Sequence, residues 1–584
     1  VPAHRPSPLF PRAGWPVRRP LLSSARALHR TLAVCTAALL LAGLAEAREP
    51  GQAAIATAHP LATAVGRDIL LKGGNAFDAA VAASAALAVV EPYGSGMGGG
   101  GFFLLRQAAE PAAYRFLDAR ERAPLAATAD LYLRDGKPVR ALSLNGPLAA
   151  AIPGLPAAWV ELAQDHGRLP LATSLAPAIG LAREGFEVDA VYRERAGWRL
   201  SALRDDPESA RLFLLDGELP PLGHRLRQPE LARTLERLAR EGRDGFYAGE
   251  VGTRLVEGVR AAGGIWSAED LAQYRTVTRE PLRFPLSEGR ELISAPPPSA
   301  GGVAIAQSLG LLERLDWQAA DPVRRAHLVV ESLRRAYRDR SLLGDPDHVE
   351  VPVGALLDAR YLDRLAAGID PRKATPSSAL PPAPAWHEGD HTTHFAVMDA
   401  EGNAVAATLS LNLMFGAAFT VPGTGVLLND EMDDFAAALG ARNAYQLSGA
   451  EPNLIAPGKR PLSSMAPTFI EGPDDLASFG TPGGSRIPSM VLLSALAYLE
   501  GEPAATWAAR RRYHHQYLPD VIEYEDGAFT PEQHRALEAM GHGLEPMRRA
   551  YGNQQVIHWD KRTGEVEAAS DPRGIGEAVV IPGR

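Results

Sequence analysis

Between residues 53 and 106 the spacing of apolar positions changes repeatedly. Residues 53–59 form a short apolar run, 60–71 repeat at helical spacing, Lys72-Gly73-Gly74-Asn75 interrupts them, and 76–90 are apolar and alanine-rich. This predicts a strand, a helix, a turn and a second helix whose small side chains suit burial between layers. A glycine run over 94–101 then leads into Phe102-Phe103-Leu104-Leu105, a buried strand. From about 141 to 370 the pattern is mainly helical, with one long amphipathic helix near 322–343 and turn punctuation at Leu219-Pro220-Pro221 and Ala295-Pro296-Pro297-Pro298. Residues 374–385, rich in Pro, Ser and Ala, read as an exposed linker. Beyond it the character changes at once. Residues 393–399 and 404–411 alternate or run apolar around Ala400-Glu401-Gly402-Asn403, which predicts a β-hairpin. Strand-like pieces follow at 419–421, 425–428 and 468–470, and a helix near 488–499. Strands at both ends with helices between them predict one layered α/β unit whose sheets draw on both ends of the chain.

Composition narrows the functional classes. The chain has 584 residues, 60 basic against 69 acidic, for a net charge of -9. That balance lacks the basic excess of a phosphate-tracking surface, so nucleic acid is not an expected partner. One cysteine, Cys35, excludes an internal disulfide framework and a Cys-based zinc cage. Arg18, Arg19, Arg26 and Arg30 precede an apolar run over 31–44 that ends in Ala45-Glu46-Ala47, a small-x-small signature. This reads as a secretory leader over 1–47, cut before Arg48; a buried core helix is the alternative. The run is short of the roughly 20 residues that span a bilayer, and no other segment is long enough without charge. The expectation is therefore an acidic periplasmic or secreted protein that loses Cys35 with its leader.

Thr392-Thr393, opening a strand directly after the linker, is the most suggestive local feature. A threonine hydroxyl is a poor nucleophile without a base, but an N-terminal threonine carries its own α-amine, with a pKa of roughly 7.7 to 8.0. Such an enzyme must first cut itself. Taken alone, Thr392 reads as structural, because β-branched residues favour strands. Its neighbours add weight: Asn412 ends the hairpin, residues 429–435 put four acids in five positions, and Pro461-Leu462-Ser463-Ser464-Met465 sets two hydroxyls in an apolar stretch. Gly480-Thr481-Pro482-Gly483-Gly484-Ser485-Arg486 precedes a helix, where successive backbone N–H groups can form an oxyanion hole. Each has a plainer reading as well: a solvated acidic turn, a turn cap, an ordinary glycine turn.

Together these motifs resemble the γ-glutamyltranspeptidase family of N-terminal-nucleophile hydrolases. The resemblance is carried by 73–80 (GGNAFDAA), 91–102 (EPYGSGMGGGGF), Asp118-Ala119-Arg120-Glu121, Pro296-Pro297-Pro298-Ser299, Asp339-Arg340-Ser341 with Gly344-Asp345-Pro346, Thr392-Thr393-His394, 431–435 (EMDDF), 460–465 (RPLSSM) and 480–487, in family order across nearly all of the chain after the leader. It implies a four-layer αββα sandwich with strands from both halves, and a chain divided into leader 1–47, large subunit 48–391 and small subunit 392–584. The two subunits would form one intertwined heterodimer. The implied chemistry is attack by Thr392 on the His391 carbonyl to free its own amine. The same hydroxyl then takes a γ-glutamyl group from glutathione or another γ-glutamyl amide and passes it to water, an amino acid or a peptide. Arg120, with Ser463 and Ser464, would hold the α-carboxylate; Asn412, Glu431 and Asp434 the α-ammonium; Gly483 and Gly484 the oxyanion; Ser410 would support Thr392.

Three details bear on that reading. Ser410 stands where the family often has threonine, keeping the hydroxyl without the stiffening methyl. Position 431 is Glu rather than the Gln of some bacterial relatives, and either accepts from an ammonium. Residues 436–458 have the length of a lid loop, with Tyr445 placed to close over a small γ-glutamyl substrate. No motif requires a cofactor or a metal: in His391-x-x-His394 the two rings point to opposite faces of an extended chain, and the adjacent His514 and His515 diverge as well. Without the family frame Arg120, between Asp118 and Glu121, reads as a surface ion pair. Competing functions are an acylase or amidohydrolase on the same scaffold and an unprocessed binding protein.

Overall fold

The computed structural model describes residues 49–381, 392–436 and 451–583. The leader with Cys35, His391, and Tyr445 with much of 436–458 lie outside these residues.

The predicted hairpin forms, with Thr392–Met398 antiparallel to Ala404–Ser410 and Thr392 directly opposite Ser410. Its turn is tied by the Asp399 carboxylate, which accepts the N–H groups of Glu401 and Asn403. The hairpin lies inside a seven-stranded antiparallel sheet in the order Glu577–Ile581, Ala53–Thr57, Thr392–Met398, Ala404–Ser410, Gly100–Gln107, Ala113–Ala119, Val277–Arg279. A second, six-stranded sheet runs Val566–Ser570, Gln555–Asp560, Asp475–Phe479, Thr468–Glu471, Glu291–Ser294, Leu282–Pro285. Period-two alternation sorts the hairpin side chains. Phe395, Val397, Val405, Ala407 and Leu409 join one core with the helices Pro60–Leu71 and Ala76–Val90. Ala396, Met398, Ala404 and Ala406 join another with Phe469, Ala477 and Phe479 of the second sheet and the helices Gly301–Arg314 and Ile487–Leu499.

Every residue of Ala76–Val90 is buried, which is why its side chains are so small. Its start is fixed by a capping box: Asn75 accepts from Phe77 and Asp78, and Asp78 accepts from the Asn75 N–H, a device worth about 1 kcal/mol. The helix Pro322–Asp339 begins on an Asp321 cap and ends in a 3-10 turn, Arg340–Leu342, so the long amphipathic helix stops short of its expected end.

Two expectations are corrected. The largely helical middle also contains Val277–Arg279, Leu282–Pro285 and Glu291–Ser294, which finish the edges of both sheets. Strands of three or four residues carry too few turns of alternation to stand out in sequence. The described part of the supposed linker is also not simply exposed: Ser377 is buried, its N–H donates to Asp520 and its hydroxyl to the Tyr517 carbonyl. Asp520 is held in turn by Arg334. Among the described residues no helix is long and apolar enough to cross a membrane.

Candidate active site

Thr392 stands at the end of an interior strand and lines an open cleft of about 960 Å³. The next residue anchors it. Thr393 is buried, and its hydroxyl donates to Glu91 Oε2 at 2.8 Å while Tyr93 donates to Glu91 Oε1 at 3.1 Å. Burial pushes the Glu91 carboxyl up, partly offset by His59 and these two hydroxyls. Gly483 lines the same cleft, in the turn that opens the helix Ile487–Leu499. Its φ of 140° is one that only glycine adopts readily, and a Cβ there would lie 2.5 Å from Met490 Cε. Among the described residues neither the Gly483 nor the Gly484 N–H donates to a backbone carbonyl, so both remain available to a developing oxyanion.

A polar chain leads inward from Thr392. Ser410 lies across the sheet from it, and the Asn412 N–H donates to Ser410 Oγ at 2.7 Å. Asn412 has a positive φ of 74°, and its side chain donates to the Asp430 carbonyl at 3.0 Å. The Gly98–Gly101 run lets neighbouring backbones close on this chain: a Cβ on Gly99 would sit 2.2 Å from the Ser410 carbonyl oxygen. Asn429 clamps the other side, donating to the Gly98 and Ala151 carbonyls and accepting from Glu431 N–H.

The chain ends in a buried ion cluster. Arg120 is 1% exposed; its Nη1 lies 2.7 Å from Glu431 Oε2, its Nη2 donates to Asp434 Oδ2, and its Nε donates to the Pro461 carbonyl at 3.2 Å. It is therefore not a surface ion pair, and the acids at 430–434 are not a solvated turn. Arg340, also buried, donates to Ser464 Oγ at 2.9 Å. Asn453 donates to the Asp434 carbonyl and accepts from Leu462 N–H, fixing the acids against the Ser463-Ser464 segment. Ser463 Oγ accepts from Met465 N–H, so this serine does tie its own turn.

Burial works against every charge here. It lowers Arg120, but Glu431, Asp434 and Glu121 outweigh it and hold the guanidinium charged. It raises Glu431 and Glu121 despite the opposing pull of Arg120. Arg340 is pushed down to about 10 by burial, with Tyr337 and Asp434 opposing. Asp433, whose carboxylate accepts from Ser143 at 2.6 Å, is pushed up to about 7. What the arrangement offers is a matched set of charges: a planar cation for a carboxylate, and carboxylates for an ammonium.

The structure thus brings Arg120, Glu431, Asp434, Ser463 and Ser464 into one buried region, while Thr392 and Gly483 line the cleft, and Ser410 and Asn412 connect the two. Arg340, Asn453, Asn429 and Glu91 received no role from sequence. Arg340 and Glu91 fall in motifs that carry the resemblance, but only tertiary packing shows what they touch. His394, His514 and His515 are buried, with their imidazoles held low, to about 3, 3 and 4, by desolvation. A group with metal-like spacing, His327, Glu331 and His542, lines no part of the cleft, and its Glu331 oxygens accept from Arg334, Arg335 and Thr375 N–H.

Comparison with known proteins agrees with this geometry. The family model described as gamma-glutamyltranspeptidase matches residues 62–581. The chain is 40% identical over 501 residues to a glutathione hydrolase proenzyme of Pseudomonas sp. strain A14, covering 83% of this chain and 85% of the relative. It is 40% identical over 538 residues to the glutathione hydrolase proenzyme of Escherichia coli strain K12, covering 90% and 91%. Among solved structures, a cephalosporin acylase from Bacillus halodurans is similar with a TM-score of 0.79 at 27% identity, covering 90% of this chain and 95% of that one. The buried ion cluster, the interior threonine strand and the match over most of the sequence agree: this chain belongs to the γ-glutamyltranspeptidase family.

Proposed function

We propose that the protein is an exported γ-glutamyltransferase and glutathione hydrolase that matures by cutting itself before Thr392. The observation that carries this reading is the polar chain from Thr392 through Ser410, Asn412 and Asp430 to the Arg120–Glu431–Asp434 cluster. A γ-glutamyl substrate enters with both charges of an α-amino acid. Its carboxylate takes Arg120 and the serine hydroxyls, and its ammonium takes Glu431, Asp434 and Asn412, so the ions of the empty pocket are exchanged for those of the ligand. With Thr392 freed, its amine accepts the hydroxyl proton as Oγ attacks the γ-carbonyl carbon. The Gly483 and Gly484 N–H groups stabilise the oxyanion, the C–N bond breaks, and the proton passes to the departing amine. Water or an acceptor amine reverses these steps on the ester. No cofactor enters. Cut at the leader and at Thr392, the mature enzyme is a heterodimer of 48–391 and 392–584 without a cysteine, in the periplasm or outside the cell.

The second reading, an acylase, is favoured by the similarity to a cephalosporin acylase. A glutaryl substrate would occupy Arg120 and leave Glu431 and Asp434 buried without a cation, at a cost of several kcal/mol. Rates on γ-glutamyl-p-nitroanilide and glutaryl-p-nitroanilide separate the two; a preference for glutaryl overturns the first. Denaturing electrophoresis tests maturation: two fragments meeting at Thr392 are expected from wild type and one chain from Thr392→Ala. A single chain from both would support an unprocessed binding protein.

A further inference from the structure

Two motifs that carry the resemblance, Pro296-Pro297-Pro298-Ser299 and Asp339-Arg340-Ser341, have no part in the chemistry above. Both close on the Ser463-Ser464 pair. The first holds its backbone: Ser463 N–H donates to the Pro298 carbonyl at 2.8 Å, the Ser463 carbonyl accepts from Ala300 N–H at 2.7 Å, and Ser299 Oγ donates to the Met465 carbonyl at 2.7 Å. Gly301 allows the close approach, since a Cβ there would lie 2.5 Å from the Ser464 carbonyl oxygen. The second motif holds a side chain. Unlike Arg195, Arg486, Arg549 and Arg573, which line the cleft, Arg340 is buried in the turn that ends the helix Pro322–Asp339, and two of its nitrogens converge on one oxygen: Nη2 lies 2.9 Å and Nε 3.3 Å from Ser464 Oγ.

A hydroxyl has one hydrogen and two lone pairs, and a guanidinium has only hydrogens to give. With Arg340 on its acceptor side, Ser464 directs its hydrogen away from the guanidinium, and accepting from a cation makes that hydrogen a stronger donor. Ser463 is wired alike, its Oγ accepting from Met465 N–H at 3.0 Å. Without such partners a serine hydroxyl is as ready to accept from an ammonium as to donate to a carboxylate. We propose that Arg340 is a positioning residue of the donor pocket: by filling the acceptor side of Ser464 it fixes that hydroxyl as a donor to the α-carboxylate, and so sets which end of the pocket takes the anion. This rests on the γ-glutamyl reading of the same site. Arg340 acts through Ser464 and touches no reacting atom, so its contribution lies in binding the donor and not in the attack by Thr392.

The test is a KM-against-kcat comparison on γ-glutamyl-p-nitroanilide for wild type, Arg340→Met, Ser464→Ala and the double variant. Arg340→Met should raise KM by about tenfold, as for a hydrogen bond to a charged group, with kcat within about twofold. In the Ser464→Ala background the same substitution should change KM by less than about twofold, because the hydroxyl through which it acts is gone. Arg340→Lys, which keeps a donor but loses the fork, should raise KM by only about threefold, and it takes the place of Arg340→Met throughout if that variant does not accumulate. An unchanged KM, a loss confined to kcat, or a rise in KM that is as large without Ser464 as with it overturns the proposal. If wild type acts on glutaryl-p-nitroanilide but not on the γ-glutamyl donor, the γ-glutamyl reading fails separately. The glutaryl donor carries the same carboxylate, so the same rise in KM, and its disappearance with Ser464→Ala, are then required on that donor.

Discussion

The buried cluster and the open cleft lie on either side of Thr392 and handle charge in opposite ways. In the cluster Arg120 faces Glu431 and Asp434, and all three are sealed from water. In the cleft the arginines are tied to acids behind them or laid over Trp198, with solvent in front. A sealed pocket cannot leave a charge unmatched without a penalty of several kcal/mol, so it recognises a ligand by exchanging ion pairs and demands both charges at once. A wet cleft loses little when a charge goes unmatched. Its selectivity is graded and sensitive to salt. On the proposed reading, the division of labour that follows is a strict glutamyl side and a permissive amine side.

Removing one carboxylate from the sealed side should break this contrast most strongly. Asp434→Ala leaves Arg120 with Glu431 at 2.7 Å and Glu121 at 3.8 Å, and breaking a buried pair costs about 3–5 kcal/mol. The kcat/KM for γ-glutamyl-p-nitroanilide should fall by about 10² to 10³, with a smaller loss for the glutaryl analogue; a fall below tenfold would mean that the pocket is wetter than the structure indicates.

Protons sharpen the same contrast. The Asp433 carboxyl is raised from 3.8 to about 7 by burial, so the native state keeps a proton that the unfolded chain has released. Stability from this group is therefore full at low pH and lost as pH rises from about 4 to about 7, by at most ~4 kcal/mol. Thermal melts at pH 5 and pH 8 should show Asp433→Asn, which can still accept from Ser143, losing less stability than wild type over that interval. Buried His514 and His515 act in the reverse direction, costing stability as pH falls below about 6.5, and the Asn variant leaves that acid limb in place.

On the boundary between the two regions, Gly483→Ala meets both a positive φ and Met490. A displaced oxyanion donor should lower kcat by about 10², with KM changing little; a change in KM alone would place Gly483 outside the reaction. The smallest effect belongs to the wet side. Glu194→Gln removes an exposed negative charge at the cleft and should lower KM for glycylglycine by about twofold at low salt, vanishing at 0.5 M salt.

How much of this could be read in the sequence depends on range. The hairpin at 392–410 was legible because a glycine-containing turn separates two apolar runs, and Ala76–Val90 because its small residues continue for four turns. The edge strands near 277–294 were not, being short pieces tied into the sheets through Val277–Arg279 and Glu291–Ser294, whose partners Ala113–Ala119 and Thr468–Glu471 lie far away in sequence. In the site, the run of acids at 430–434 announced itself by composition. Its burial did not: Arg120 meets Asp434 across 314 positions, and no local pattern distinguishes that from a solvated turn. The family resemblance supplied the pairing of roles, whereas contacts such as Arg340 to Ser464 and Asn453 to Asp434 required the folded chain.

The strand order of the main sheet reaches beyond catalysis. From one edge it draws on the chain after Thr392, then before it, then after it twice, then before it three times, so segments from the two sides meet at three seams, and at a fourth in the second sheet. A break before Thr392 would leave two pieces woven through one another rather than two bodies resting face to face. Dilution has no flat interface to act on, and separating the pieces means tearing rows of backbone hydrogen bonds out of the centre of the protein. If the chain is cut there, as proposed, the two lengths are best woven while still one thread, with the cut following as the last step of assembly.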